Sequence, residues 1–212
     1  LAAGMTGCGL LPEGKDNASQ PAQDAQTDLT PAPEPEPEPT PEELRYEAAV
    51  HYVNGLSTEQ QAAQMFFARC PESGAAELAG QYDIGGYILF GRDFDGKTKA
   101  EVTDAIASCQ AAAATPMLIG VDEEGGTVVR VSSNPKLAPS KFFSPQTLLD
   151  QNGLEGLVYD AQDKDALLRG LGINVNLAPV CDVAAPGSFI YPRTFGEDAA
   201  GTAGCVRAVV YQ

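Results

Sequence analysis

Three stretches of this chain are apolar almost without interruption, and the segments between them alternate with helical spacing. Gly85-Gly86-Tyr87-Ile88-Leu89-Phe90 ends at Gly91, and Met117 to Val121 ends at a run of acids. Ile173 to Leu177 follows Gly172. Short apolar runs closed by glycine or charge predict buried strands. A helix is predicted over Glu42 to Val53, and a second opens at Ser57, which is spaced from Gln60 as a capping box. Its apolar positions Ala62, Ala63, Phe66 and Phe67 share one face. Lys97 to Ala114 predicts a helix with Val102, Ile106 and Cys109 inward. Leu154 to Leu171 predicts another, closed by Gly172, and a last begins at Asp198 with Ala203, Val206 and Val209 inward. Apolar strands alternating with helices predict an α/β fold whose parallel sheet is covered on both faces. The pattern alone does not separate an open doubly wound sheet from a barrel.

Composition divides the chain. Its 212 residues are 43% hydrophobic, enough for one core, and carry a net charge of -16. Such acidity argues against nucleic acid or an anionic membrane face as a partner. Residues 1–44 hold nine acids and one lysine, so eight of the sixteen net negative charges belong to the tail. Leu1 to Cys8 resembles the end of a bacterial lipoprotein signal, with Gly7 before the cysteine. On that reading residues 1–8 end a signal and Cys8 is the lipid-attachment residue. It would tether the protein to the extracellular face of the cell membrane, where several acyl chains anchor stably. Residues 9–42 read as a disordered acidic linker. Within it Pro31 to Pro41 alternates proline with other residues. That blocks helix and sheet and favours an extended spacer of roughly 34 Å. Residues 43–212 form the remaining domain.

Five cysteines make an odd count. Cys70, Cys109, Cys181 and Cys205 lack Cys-x-x-Cys spacing, so a zinc site is not expected. Two disulfides are arithmetically open, but cysteine behaves as a small buried hydrophobe, and buried free thiols are the favoured expectation. The lone histidine, His51, falls in the first helix and reads as structural or surface.

The candidate chemistry sits where strands end. Asp122-Glu123-Glu124-Gly125-Gly126 follows one strand, with Arg130 four residues on. Asp182 follows another, with Arg193-Thr194-Phe195-Gly196 downstream. The carboxyl end of a buried strand is where α/β proteins place pockets. Asp122 can accept two hydroxyl bonds, or orient a neighbouring arginine. Arg130 and Arg193 can grip hydroxyls or order the carboxylates. Asp182 either binds substrate or braces Arg193. Gly125 and Gly126 suit positive φ or close backbone approach, as a plain turn would too. Glu123 and Glu124 are adjacent, point apart, and do not form an acid/nucleophile pair. Tyr191 and Phe195 either pack the rim or join the core.

Asp-Glu-Glu-Gly-Gly-x-Val-x-Arg, Gly-Ile-Asn-x-Asn-x-Ala-Pro-Val-x-Asp-Val and Arg-Thr-Phe-Gly occur in that order. Together they closely resemble the amino-terminal half of glycoside hydrolase family 3, and its β-N-acetylhexosaminidase branch most of all. The resemblance runs from about Leu56 onward. It implies an incomplete (β/α)8 TIM-type barrel, of which this chain holds about the first three β/α units. It further implies a carbohydrate substrate and hydrolysis of terminal β-linked N-acetylglucosamine by a retaining mechanism, with Asp122, Arg130, Arg193 and Asp182 binding substrate. Glutamine is common in the family at the position of Glu123. Neither a metal nor an organic cofactor is expected, and no protein partner is evident. In this family an aspartate is the nucleophile, and in the hexosaminidase branch a histidine–aspartate pair is the acid/base, beside a Lys-His-Phe-Pro-Gly-type segment. Counterparts of these are expected beyond Gln212, so the chain by itself is expected to be inactive. A β-glucosidase of the same family, and a sugar-binding lipoprotein or fragment without activity, are the alternatives.

Overall fold

The computed structural model describes residues 38–211. Cys8 and nearly all of the proposed linker lie outside the described residues. Helix α1 (Pro41–Asn54) starts inside the segment read as linker. Thr40 accepts from the Glu43 amide at 3.2 Å, and the Glu43 carboxylate takes the Thr40 amide at 2.7 Å. Pro41 at the first helical position has no N–H to leave unpaired, so it opens a helix as readily as it ends a spacer.

Helix α2 (Thr58–Gln64) carries the predicted Ser57–Gln60 box but stops short of the two phenylalanines. Phe67 opens strand β1 (Phe67–Arg69), which the pattern assigned to a helix. Then come α3 (Ala75–Tyr82), β2 (Gly86–Leu89), α4 (Gly91–Phe94), α5 (Lys99–Ala112) and β3 (Leu118–Val121). Helix α6 (Pro145–Arg169) is interrupted at Gly153 (φ 63°, ψ -158°). The predicted start at Leu154 is thus only its second segment; an earlier one is capped by Ser144. Strand β4 (Val175–Asn176), a single 3-10 turn (Tyr191–Arg193) and α7 (Ala199–Val210), capped by Asp198, complete the described chain.

All strand pairs are parallel, in the order β1-β2-β3-β4. Each strand lies beside its predecessor, without the reversal a doubly wound sheet makes at its switch point. The arrangement fits a portion of a singly wound barrel, with four strands where the pattern showed three.

Alternation sends Tyr87, Leu89, Ile119 and Val121 to one face. There they join Ala79 of α3, Val102, Ile106 and Cys109 of α5, and Leu168, Leu171 and Ile173 in one core. Each buried aliphatic side chain of this set stabilises by about 1.5–3 kcal/mol. On the opposite face the Phe67 ring lies over two strands that carry no side chain beside it. A Cβ at Gly86 would come within 2.8 Å of the ring, and one at Gly120 within 2.3 Å. Leu118, also on this face, is half exposed. A second core forms between α6 and α7 from Leu148, Leu157, Phe195 and Cys205, so Phe195 belongs to packing.

Asn174 and Asn176 add side-chain bonds to the short β4 ladder. Asn174 accepts from the Ile119 amide at 2.7 Å and donates to the Met117 carbonyl at 3.0 Å. Asn176 accepts from the Glu123 amide at 3.1 Å and donates to its carbonyl at 3.3 Å. The two asparagines thereby lock β4 against β3 and fix where β3 ends.

Candidate functional site

Beyond Val121 the chain leaves the sheet through three acids with different surroundings. Asp122 stays at the rim, its side chain a quarter exposed, 3.6 Å from the Arg130 guanidinium. Glu123 turns inward and is fully buried. It accepts from the amides of Arg130 at 2.8 Å, Val131 at 2.7 Å and Ser132 at 3.3 Å, and from the Ser132 hydroxyl. This fastens the loop back onto the strand end and sets where the Arg130 backbone lies. Glu124, also buried, forms a two-pronged pair with Arg193: Nε to Oε2 at 2.9 Å and Nη2 to Oε1 at 2.7 Å. Parallel bonds of this kind fix orientation as well as energy. The Glu124 bond raises the Arg193 pKa still further, and the charges of Asp122 and Asp182 add to it.

Both glycines of the turn are required by geometry. Gly125 has φ 97°, and a Cβ there would stand 2.1 Å from the Phe143 carbonyl oxygen. Gly126 has φ 63°, with the Ser144 side chain 2.7 Å from such an atom. Beneath the turn the buried Lys164 of α6 donates to the Glu124 carbonyl at 2.9 Å. It pairs with Asp160 at 2.5 Å and lies 5.3 Å from the centre of the Phe142 ring. Burial pushes the Asp160 pKa up, against the pull of Lys164.

Of the residues singled out in the sequence, Asp122 and Arg130 meet directly. Arg193 reaches the same rim, but its partner is Glu124. Asp182 is exposed and contributes only its field to Arg193. The bracing considered for Asp182 is therefore done by Glu124, which is nearer and buried. Lys164 and the anchoring role of Glu123 escaped the sequence reading. A buried carboxylate that serves amides seven to nine residues away leaves no periodic trace, and Lys164 looks like any polar residue on a helix. A third miss is Arg69, at the end of β1, whose guanidinium lies 5.0 Å from the Phe90 ring centre.

The rim is open. A cavity of about 270 Å³ lies between the sheet and its covering helices, lined by Cys70, Tyr87, Ile106 and Cys109 among others. Cys70, Cys109, Cys181 and Cys205 are all free thiols, but Cys181 is exposed, contrary to the expectation that all are buried. It follows cis Pro179 where the chain leaves the sheet. Among the described residues no group of three or more histidines, cysteines or acids could hold a metal. What the rim offers is carboxylate acceptors and guanidinium donors spread over the strand ends, the set a polyol needs.

Residues 57–211 match the family model described as the glycosyl hydrolase family 3 N-terminal domain. A β-hexosaminidase of Xanthomonas campestris pv. campestris is 35% identical over 133 residues, covering 61% of this chain and 40% of that protein. β-Hexosaminidase A of Pseudoalteromonas piscicida is 35% identical over 131 residues, covering 58% of this chain and 21% of that protein. Among solved structures, a family 3 glycosyl hydrolase of Mycobacterium smegmatis superposes with TM-score 0.62 at 26% identity, covering 74% of this chain and 47% of that one. A family 3 β-N-acetylglucosaminidase of Paenibacillus sp. gives TM-score 0.61 at 28% identity, covering 73% and 31%. The chain thus spans less than half the length of these relatives.

Proposed function

This chain belongs to glycosyl hydrolase family 3, within its N-terminal domain, and on that premise we propose that the whole protein removes terminal β-linked N-acetylglucosamine from saccharides of cell-wall origin. The observation that carries this reading is the pair of ion pairs at the rim, Asp122 with Arg130 and Glu124 with Arg193. The relatives' names, β-hexosaminidase and β-N-acetylglucosaminidase, supply the sugar. In this reading Asp122 accepts ring hydroxyls, while Arg130 and Arg193 donate to them. Asp182, exposed beside Arg193, meets the substrate from the other side. Glu124 holds Arg193 in place, and Glu123 holds the loop.

The chemistry proposed is retaining. An aspartate attacks the anomeric carbon and the leaving oxygen takes a proton; water then releases the sugar from the glycosyl-enzyme. The residues at this rim bind and orient; on this reading the nucleophile and the acid/base are supplied from outside the 212 residues. The 212-residue chain alone is therefore expected to show no turnover.

The test is hydrolysis of 4-methylumbelliferyl N-acetyl-β-glucosaminide and the matching β-glucoside by the product of the complete reading frame. The N-acetylglucosaminide should be the better substrate. Asp122→Asn should lower kcat/KM by about a hundredfold, as losing one charged, transition-state-tightened hydroxyl contact does. A preference for the glucoside, or full activity in Asp122→Asn, would sink the reading. Turnover by the 212-residue chain above a mock preparation would overturn its expected inactivity.

We extend the proposal to location: Cys8 carries lipid and the acidic linker spaces the domain from the outer face of the membrane. Cells grown with labelled palmitate should label the protein, and Cys8→Ala should abolish the label. An unlabelled wild type removes this part alone.

A further inference from the structure

A lysine buried to 7% exposure is costly, and Lys164 is such a lysine. Its ammonium lies 2.9 Å from the Glu124 carbonyl oxygen and 2.5 Å from an Asp160 carboxylate oxygen, with the Phe142 ring centre 5.3 Å away. A carbonyl, a carboxylate and an aromatic face thus surround one ammonium, which has three protons to give. Stability does not explain the arrangement. A buried ion pair contributes little net, and an apolar pair of the same volume commonly does as well. What an apolar pair cannot do is hold the Glu124 carbonyl.

That carbonyl belongs to a closely fixed turn. The Glu124 and Gly125 amides both donate to the Val128 carbonyl at 3.0 Å, and the Gly126 amide donates to the Phe142 carbonyl at 2.9 Å. With Lys164 on its carbonyl, Glu124 is held at both ends of its own backbone. A Cβ at Gly125 would stand 3.3 Å from the Lys164 ammonium, so the turn rests directly on it. A carboxylate aims only as well as its backbone is held, and the Glu124 carboxylate grips Arg193 with two parallel bonds. Arg193 sits in the 3-10 turn, outside the sheet, so its guanidinium is placed by whatever grips it. The same helix holds that turn as well. Gln146, in the first segment of α6, donates to the Tyr191 carbonyl at 2.6 Å, while Lys164 lies in the segment beyond the break at Gly153. Helix α6 therefore holds both partners of the Glu124–Arg193 pair.

Resting on the function proposed above, we infer that Lys164 is a positioning residue for that reaction: held by Asp160, it fixes the Glu124 backbone and, through Glu124, the Arg193 guanidinium that binds the sugar. Lys164 itself touches no substrate. Its effect falls on binding, because Arg193 donates to ring hydroxyls in the ground state and the transition state alike.

The test uses the product of the complete reading frame and 4-methylumbelliferyl N-acetyl-β-glucosaminide. Removing Lys164 alone strands the buried Asp160 charge, so the pair is exchanged together, Asp160→Leu with Lys164→Met. This variant should melt close to the wild type. Its KM should rise about tenfold, with kcat changed less than about threefold. A merely structural role does the opposite, lowering the folded fraction and with it the apparent kcat while KM stays put. In an Arg193→Lys background, where the two-pronged grip is already lost, the exchange should add less than about a twofold rise in KM. If the exchanged pair does not fold, Asp160→Asn, which keeps Lys164 and an acceptor for it, decides on the same split with a rise of about threefold. An unchanged KM, or a rise as large in the Arg193→Lys background as in the wild type, overturns the positioning role and leaves the proposed function standing. No hydrolysis by the wild type overturns that function, and the positioning role falls with it.

Discussion

Glu123 carries a carboxylate with no exposure to solvent, satisfied by three amides and a hydroxyl from one short loop. Glu123→Ala leaves those donors without an acceptor and should destabilise the chain by about 3 kcal/mol or more, read from urea unfolding. Glu123→Gln keeps one acceptor oxygen and should lose about half as much; equal losses would mean that the carboxylate's second oxygen does nothing. The thiols make a second case. Burial lifts the Cys70 pKa from its ordinary 9.0 to about 12 and also raises those of Cys109 and Cys205. Peptide mapping after iodoacetamide treatment at mild pH should show Cys181 modified first, and these three only on unfolding. The linkage follows in sign. A thiol that ionises in the unfolded chain near pH 9.0 and in the folded chain near 12 favours unfolding as pH rises across that interval, so stability should fall there. Replacing Cys70 with alanine should flatten that part of the stability–pH curve. At this scale the acids and arginines were legible as candidates, because charge at the end of an apolar run is unusual. Their pairings were not, since Glu124 and Arg193 lie 69 residues apart.

Helix α5 was legible nearly to its ends, because Val102, Ile106 and Cys109 repeat at helical spacing and all three are buried. Strand β1 was not. Its first residue, Phe67, continues the apolar face predicted for α2, and only the glycines across the sheet make room for that ring. This gives a prediction for the element. Gly120→Ala puts a methyl 2.3 Å from the Phe67 ring and should cost about 1–3 kcal/mol by overpacking. Combined with Phe67→Leu, the loss should be less than the two single losses added together, a coupling of about 1 kcal/mol in a double-mutant cycle. Strict additivity would show that β1 does not lean on those glycines. The break in α6 has the same origin. Gly153 sits at φ 63° within a stretch whose composition is otherwise helical, and nothing in its neighbours announces that angle.

One face of the sheet is sealed by helices, and the other is open around Leu118 and Leu177. Phe189 is 90% exposed, and Met65, Phe66 and Tyr211 are exposed as well. Among the described residues β1 and β4 have no further strand beside them. Open edges and apolar faces pair with whatever is near. The 212-residue chain should therefore self-associate at micromolar concentration and bind a hydrophobic dye. Light scattering that shows a monomer, with no dye binding, would mean that this surface is covered in a way the described residues do not show. The net charge of -16 opposes association, so raising the salt should increase it.

The sequence by itself determined the alternation of strands and helices, the parallel sheet, and the family, because periodicity and ordered motifs are local and survive without coordinates. It also determined which residues are chemically able to bind a sugar. Only the tertiary structure decided that the strands run in one unreversed order. Only there did Glu124 rather than Asp182 become the partner of Arg193, Glu123 the anchor of the loop, and Lys164 the support of the Glu124 backbone. The physical reason is common to all four. Each depends on which distant segment a strand end or side chain meets in a parallel sheet, and helical crossovers separate those segments by tens of residues.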